Sequence, residues 1–357
     1  MQLPANLKNA LDELFQQTNP AELEKASHRL TQRYRNEILD GKMHIADRNA
    51  AFGYIAARFP ATYAAVFSAL DKVTEICPSF SPSSQLDVGG GPGTAVFAAS
   101  RIFPSLRHAT LVEQSHDIIS LGKALFSASL VHDDSAPSAS KHVTTDWQNM
   151  DISSAAFENL AKADLVTASY VLDELPEKIQ DHLVDGLWNK TGDMLFLIEP
   201  GTPAGFKRLN RQRDRLIERG GHIVAPCPHE FACPVESPDW CHFSVRVERS
   251  RTHRLTKQAI VPFEDEKFCY LAFAHEKPDV QYCRILSRPQ RSSGKVEYTI
   301  CTSGGEKNAE ITTRRNKKLY SELRRLEWGD ILKNKTIGCK YLLTIPVCQL
   351  YSPSPHK

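Results

Sequence analysis

No stretch of the sequence approaches the roughly eighteen consecutive apolar residues that a membrane-crossing helix needs, which excludes a helical membrane protein. Residues 1–16 mix Asp12 and Glu13 with Leu14 and Phe15. They lack both the apolar core of a secretory leader and the Arg-rich, acid-free character of a mitochondrial one. A cytoplasmic, monomeric protein is expected, bacterial in the simplest case. No Cys-x-x-Cys occurs, which excludes the paired-ligand chelate of ordinary zinc fingers. Net charge is also small, at +2, but that figure hides an asymmetry. Residues 1–200 carry 16 Lys and Arg against 25 Asp and Glu, whereas residues 201–357 carry 28 against 17. A basic second half suits a polyanion docking on one side; evenly spread solubilising charge is the plain alternative.

What the sequence does contain begins with Asp87-Val88-Gly89-Gly90-Gly91-Pro92-Gly93-Thr94. An apolar lead runs into four glycines and then into a helical pattern, the order strand, tight turn, helix. Glycines admit positive φ and close approach of a ligand, and the helix start offers unpaired N–H groups. A mere tight turn is the alternative. A second strand pattern ends at Glu113, an acid placed to accept hydrogen bonds from the ribose hydroxyls of a nucleoside cofactor. Asp146 and Trp147 follow where a third strand is expected to end.

The Asp-x-Gly-x-Gly-x-Gly order with these later acids resembles the class I S-adenosylmethionine-dependent methyltransferases. That resemblance implies a loop of Asp87, Gly89, Gly91 and Gly93 around the methionine part. It gives Glu113 to the ribose, and Asp146 and Trp147 to the adenine edge and face.

The remaining pattern supports an α/β reading. Residues 1–80 read as a helical region, with helices from Pro20 towards Leu39, at 50–58 and at 61–76, broken at Pro60. Strands are expected at 85–88, 109–112, 142–145, 165–169, 194–198, 222–224 and 268–274. Helices are expected at 94–103, 116–126, 154–162, 176–190 and 203–220. This predicts a Rossmann-like doubly wound sheet spanning 81–275, followed by a small basic β-rich region at 276–357 with strands at 281–287, 295–301 and 310–313. Arg48, Arg58 and Tyr63 read as packing residues that could also face cofactor or RNA.

After the fourth strand the chain reads Ser169-Tyr170-Val171-Leu172-Asp173-Glu174. It lacks the Asn-Pro-Pro-Tyr or Asp-Pro-Pro-Tyr of amino-methylating nucleic-acid enzymes. No cysteine lies between Cys77 and Cys227, so a cytosine-C5 nucleophile is missing too. Asp173 and Glu174 are the candidate catalytic residues, with a helix cap and solvated first turn as the alternative.

Eight of the nine cysteines fall after residue 226: Cys227, Cys233, Cys241, Cys269, Cys283, Cys301, Cys339 and Cys348. In a reducing compartment such clustering points to a metal before disulfides. Cys227, Cys233 and Cys241 sit in a proline-rich loop at 225–243, and their wide spacing suits an iron–sulfur cluster better than zinc. Cys-Pro-His-Glu-x-x-Cys-Pro, from Cys227 to Pro234, and Trp240-Cys241-His242-Phe243 resemble the Rsm22 family of methyltransferase-like proteins associated with the small ribosomal subunit. Its eukaryotic members are mitochondrial. Arg58-Phe59-Pro60-Ala61-Thr62-Tyr63, Leu172-Asp173-Glu174-Leu175, the segment from Glu199 to Gly205, Leu319-Tyr320 and Trp328-Gly329-Asp330 extend the resemblance over most of the chain.

The resemblance implies a 4Fe-4S cluster on Cys227, Cys233, Cys241 and Cys301, with Cys283 and Cys269 as reserves and zinc as the alternative metal. His229 and His242 would orient the loop. It also moves Arg314, Arg315, Lys317, Lys318, Arg324 and Arg325 from a solvated face towards contact with 16S-type rRNA. Three functions stay open at this point: an rRNA methyltransferase, a catalytically silent assembly factor that keeps the cofactor pocket, and a zinc-stapled methyltransferase of a non-RNA substrate.

Overall fold

The computed structural model describes residues 1–16, 18–35, 45, 47–131, 142–249, 254 and 261–333. Cys339 and Cys348, and the expected extension of the second helix to Leu39, lie outside the described residues. Eight strands form the main sheet: β1 (Ser84–Val88), β2 (His108–Glu113), β3 (Thr144–Asn149), β4 (Ala163–Ser169), β5 (Thr191–Pro200), β6 (His222–Ala225), β7 (Phe243–Glu248) and β8 (Phe263–Ala274). Their order is β3-β2-β1-β4-β5-β8-β6, with β7 also on β8. The first five are parallel, and β8 runs antiparallel to β5, β6 and β7. This is the Rossmann-like sheet of the class I methyltransferases. Strand order reverses between β1 and β4, so the crevice for a ligand opens at their carboxyl ends.

Helices cover both faces. α1 (Ala5–Phe15), α2 (Pro20–Arg35), α3 (Arg48–Thr74), α4 (Thr94–Ile102) and α5 (His116–Val131) share one core with Phe59, Leu70, Phe196 and Ile198. α6 (Glu177–Lys190) and α7 (Pro203–Glu218) close the other around Leu86, Val166, Leu187 and Phe273. Two expectations are corrected here. α3 is one helix of 27 residues that carries Pro60 inside it. Proline removes a single local hydrogen bond, whereas eighteen buried residues hold α3 from several sides, so packing overrides the break. The stretch expected as a helix at 154–162 is only a short 3-10 turn, Ala155–Asn159.

A second, five-stranded antiparallel sheet follows: β9 (Tyr282–Ile285), β10 (Gln290–Ser292), β11 (Lys295–Cys301), β12 (Lys307–Thr313) and β13 (Ile331–Lys333), with α8 (Lys317–Leu323) beside it. Its own small core is Cys283, Ile285, Ile300, Leu323 and Leu332. Lys72 of α3 reaches Asp330 at 2.8 Å, and the Tyr282 hydroxyl donates to Val224 O and Cys227 O at 3.0 Å each. These contacts seat the second sheet against the first where the cysteine loop emerges.

Candidate cofactor pocket and thiol cavity

The glycine loop leaves β1 with Gly89, Gly91 and Gly93 at φ of 65°, 53° and 84°. A Cβ on Gly89 would lie 2.3 Å from Val171 Cγ2, and one on Gly93 2.5 Å from Phe126 Cε2, so both are fixed by packing. A Cβ on Gly91 would meet only the Tyr54 ring, at 3.8 Å, and points into open space. That space is a cleft of about 690 Å³, mouth included, lined among others by Tyr54, Gly91, Glu113, Ser115, Ile152 and Glu174. Glu113 takes Gly91 N–H on Oε2 at 3.1 Å and Ser115 N–H on Oε1 at 2.8 Å. Burial raises its pKa against these hydrogen bonds.

The sequence-predicted residues do not all meet here. Asp87 lies beneath the loop, 1 % exposed, taking the Thr167 hydroxyl on Oδ1 at 2.6 Å, with no hydrogen-bond partner at Oδ2. Asp146 is exposed and Trp147 packs against Gly122 and Phe126. Neither lines the cleft, because β3 runs to Asn149, which pairs with Glu113, and both residues stand inside the strand rather than past its end. Asp151, beyond the true strand end, holds Ser153 N–H at 2.8 Å. Of the catalytic candidates Glu174 lines the cleft and Asp173 does not.

Sequence reasoning missed Tyr54, Ser115, Ile152 and Tyr170, which reach the cleft from four separate elements or turns. Tyr170 is the one non-glycine with positive φ, 59°, among the described residues, a costly conformation for a side-chain-bearing residue that clusters at functional sites. Its hydroxyl donates to Glu266 Oε1 at 3.2 Å; Arg58 pairs with the same carboxylate at 3.0 Å and stands 5.3 Å from the Tyr170 ring. Arg58 therefore faces the floor of the cleft, whereas Tyr63 is core.

Burial pushes the Asp87 carboxyl up to about 7, over the opposing Thr167 hydrogen bond. A carboxyl whose folded pKa exceeds its unfolded value contributes stability that is complete below about pH 4 and lost as pH rises through about 7. Asp87→Asn is expected to remove that slope, so its melting temperature relative to wild type improves from pH 4 to 8 by the equivalent of a few kcal/mol, on the order of the shift. A difference constant across that range would count against it.

The thiols converge where the loop after β6 leaves the carboxyl end of its strand and meets the second sheet. Cys227, Cys233, Cys241 and Cys301 all line one cavity of about 550 Å³, mouth included, together with Cys269, Arg213, His229 and Arg284. Three come from the loop after β6 and Cys301 from the end of β11. Burial raises the Cys241 thiol pKa, and the neighbouring Cys227, Cys269, Cys233 and Cys301 add to it, so the five sulfurs feel one another. Cys301 Sγ lies 3.3 Å from His229 Nε2, and Cys269 Sγ donates to Cys241 O at 3.1 Å. Burial and Arg213 hold the His229 imidazole down at about 4, hence neutral. Cys283 is instead in the small core of the second sheet. Among the described residues no three Cys, His, Asp or Glu side chains stand close enough to hold a single metal ion.

The six predicted RNA-contacting residues are all exposed, on the turn after β12 and at both ends of α8. Arg314 stands 5.9 Å from the Tyr320 ring. Trp328 is not on this surface: it packs edge-on to His242, which stacks on Trp240.

Fold and cleft define a protein of the class I methyltransferase type, here with a cysteine-lined cavity added where the main sheet meets the second one. The model of the mitochondrial small ribosomal subunit Rsm22 family matches residues 48–333, and the chain belongs to that family. It is 29% identical over 296 residues to the human ribosome assembly protein METTL17, mitochondrial, covering 78% of this chain and 61% of the relative. It is 25% identical over 329 residues to the Rsm22-cox11 tandem protein 2, mitochondrial, of Schizosaccharomyces pombe, covering 78% and 42%. The chain thus spans about three fifths and two fifths of these relatives. Among solved structures it is similar to an O-methyltransferase family protein from Burkholderia thailandensis, with TM-score 0.44, 12% identity, and 72% and 71% of the two chains covered. It is also similar to magnesium protoporphyrin IX methyltransferase from Synechocystis, with TM-score 0.38, 12% identity, and 69% and 91% covered.

Proposed function

We propose that this chain binds S-adenosylmethionine in the cleft and a 4Fe-4S cluster in the thiol cavity, and serves the small ribosomal subunit by contacting its rRNA. The observation that carries the reading is the convergence of Cys227, Cys233, Cys241 and Cys301 on one cavity, the fourth supplied by the sheet that also presents the basic surface. Thiolates on the separate irons of a cluster stand farther apart than ligands around one ion. That spacing is compatible with the lack of a single-ion site among the described residues.

The cleft fits its cofactor on the residues present. Gly91 leaves it open, Glu113 offers a half-buried carboxylate beside the loop amides, and Glu174 adds negative charge near where a sulfonium would sit. Bound there, the cofactor supplies an electrophilic methyl group. Asp87, from beneath, supports the loop rather than touching the ligand, and the turn at Asp151 and Ile152 is better placed for the adenine than Asp146 and Trp147. Arg314, Arg315, Lys317, Lys318, Arg324 and Arg325 meet phosphates. Residues 1–80, 81–275 and 276–357 divide into helical region, cofactor domain and rRNA-facing extension. In a bacterial cell the protein acts in the cytoplasm, as a monomer, beside the nascent subunit. Among the described residues no helix is long and apolar enough to cross a membrane.

Of the two ribosomal readings, the silent assembly factor is the one favoured. The residue after β4, where a methyl acceptor would be held, is Tyr170, whose hydroxyl is engaged by Glu266 with Arg58 behind it. Binding of S-adenosylmethionine by calorimetry, with no label transferred from it to small-subunit particles or their rRNA, is the expected result. Stoichiometric transfer would establish the enzyme instead. Anaerobic purification with iron, sulfide and zinc assays tests the metal: about four irons per chain with visible colour is expected, and one colourless zinc would revive the zinc-stapled methyltransferase.

A further inference from the structure

Among the described residues, Arg213 and Arg284 are the two largest side chains that the fold buries completely, at 2 % and 1 % exposure. Both line the thiol cavity, Arg213 from α7 and Arg284 from β9. A guanidinium removed from water demands opposite charge and a full set of acceptors. Neither has them from the chain alone. Arg284 Nε donates to Pro226 O at 2.9 Å and Nη1 to Gly329 O at 2.7 Å, while Nη2 has no hydrogen-bond partner. Its Cζ lies 5.0 Å from the Tyr282 ring, and Glu75, whose field reaches it, is already paired with Lys72. Arg213 Nη2 donates to His229 O and Phe231 O at 3.2 and 2.5 Å, and Nε has no partner. Its carboxylate partner, Asp214 at 2.8 Å, has a side chain 55% exposed, where water weakens the pair.

Four neutral thiols cannot balance two buried cations. Four thiolates around an iron–sulfur core of two positive charges leave two net negative charges, which can. We propose that Arg213 and Arg284 are the built-in counter-charges of the centre held by Cys227, Cys233, Cys241 and Cys301. They are positioning residues that neutralise the centre and clamp the ligand loop by its own carbonyls. The proposal rests on the thiol-cavity reading above. It adds that the metal centre and the two arginines are stable only together. Arg213 comes from a helix packed on the main sheet and Arg284 from the second sheet, so loading the cavity also locks the two parts together. Reduction adds another negative charge to the centre, and the arginines favour that charge.

The test compares loaded and metal-stripped full-length protein for Arg213→Met and Arg284→Met, with Arg284→Lys as the charge-retaining control. Methionine keeps bulk and removes charge. In the loaded protein each Met variant is expected to melt well below wild type and to show a more negative midpoint potential in an EPR-monitored titration. In the stripped protein the loss of melting temperature should be clearly smaller, because there the uncompensated cation is itself a liability. Arg284→Lys should recover most of the potential. Equal losses in both forms, with an unmoved potential, would overturn the counter-charge role while leaving the cluster reading intact. A wild type that takes up neither iron nor zinc sinks the reading of the cavity itself, before any variant is measured. Zinc on four thiolates has the same net charge, so a zinc-loaded wild type moves the readout to chelator release: faster loss from the Met variants supports the proposal and equal rates overturn it. Where one Met variant does not fold, the other decides by the same comparison of loaded and stripped protein.

Discussion

Cys301→Ser is expected to abolish the visible colour of the purified protein, bring iron per chain towards zero and release the second sheet from the first. Cys301 is 6 % exposed at the end of β11 and faces the cavity that Cys227, Cys233 and Cys241 enter from the loop after β6. Serine matches the thiol in size but is a poor ligand for iron, so the substitution removes one corner of the centre with little change in packing. Metal binding at a structural site is folding free energy, since the site has no preformed counterpart in the unfolded chain. The melting temperature should therefore fall on the order of 5 °C or more, and limited proteolysis should cut between Ala274 and Tyr282, where the main sheet ends and the second begins. Cys283→Ser is the control. It lies in the same sheet, two positions along β9 from Ile285, but packs in that sheet's own core away from the cavity. It should lose some stability and keep the colour. If Cys301→Ser retains its iron and the wild-type melting curve, the fourth ligand has been misassigned. If Cys269→Ser then loses the iron, the thiol that now donates to Cys241 O takes its place.

The parts of the molecule legible in the sequence are those where local chemistry and tertiary structure ask for the same thing. The glycine loop is one: positive φ at Gly89, Gly91 and Gly93 is a backbone demand that no other residue type meets cheaply. The buried strand β5 is another, because a strand covered on both faces reads as a continuous apolar run, here Met194 to Ile198. β3 was misplaced for the opposite reason. It is an edge strand of polar residues, and its register is set by pairing with β2 rather than by any pattern of its own. The shift carried Asp146 and Trp147 away from the cleft. β7 was legible and passed over, since Phe243, Val245 and Val247 alternate with Ser244, Arg246 and Glu248. Tyr54, Ser115, Ile152 and Tyr170 had no linear signal, because a cleft at a topological switch point is assembled from elements far apart in the chain. The two buried arginines had none either. Nothing in the sequence separates Arg213 from the other arginines of α7, and only burial beside the thiols does so.

Gly91→Arg is the sharpest test of the cleft, because it separates ligand space from packing. Gly89 and Gly93 cannot carry it: a single Cβ at either would drive into Val171 or Phe126, and lost affinity could then be lost structure. At Gly91 the added Cβ has no neighbour nearer than 3.8 Å. The cost to the fold is the left-handed backbone at φ 53°, about 1–2 kcal/mol for an L-residue. The side chain beyond Cβ has nowhere to go but the cleft, where Glu113 and Glu174 attract its guanidinium. It would then occupy the place proposed for the cationic end of S-adenosylmethionine. Affinity for the cofactor should fall by at least about 100-fold, roughly 2.7 kcal/mol, in a calorimetric titration. Iron content should stay at the wild-type value, because the thiol cavity shares no lining residue with the cleft. Binding at wild-type strength would show that the glycine loop is a turn and nothing more. Loss of binding together with loss of iron would mean that cleft and cavity form one cooperative unit. Loss of binding with the iron retained is the outcome expected of two sites built independently on one sheet.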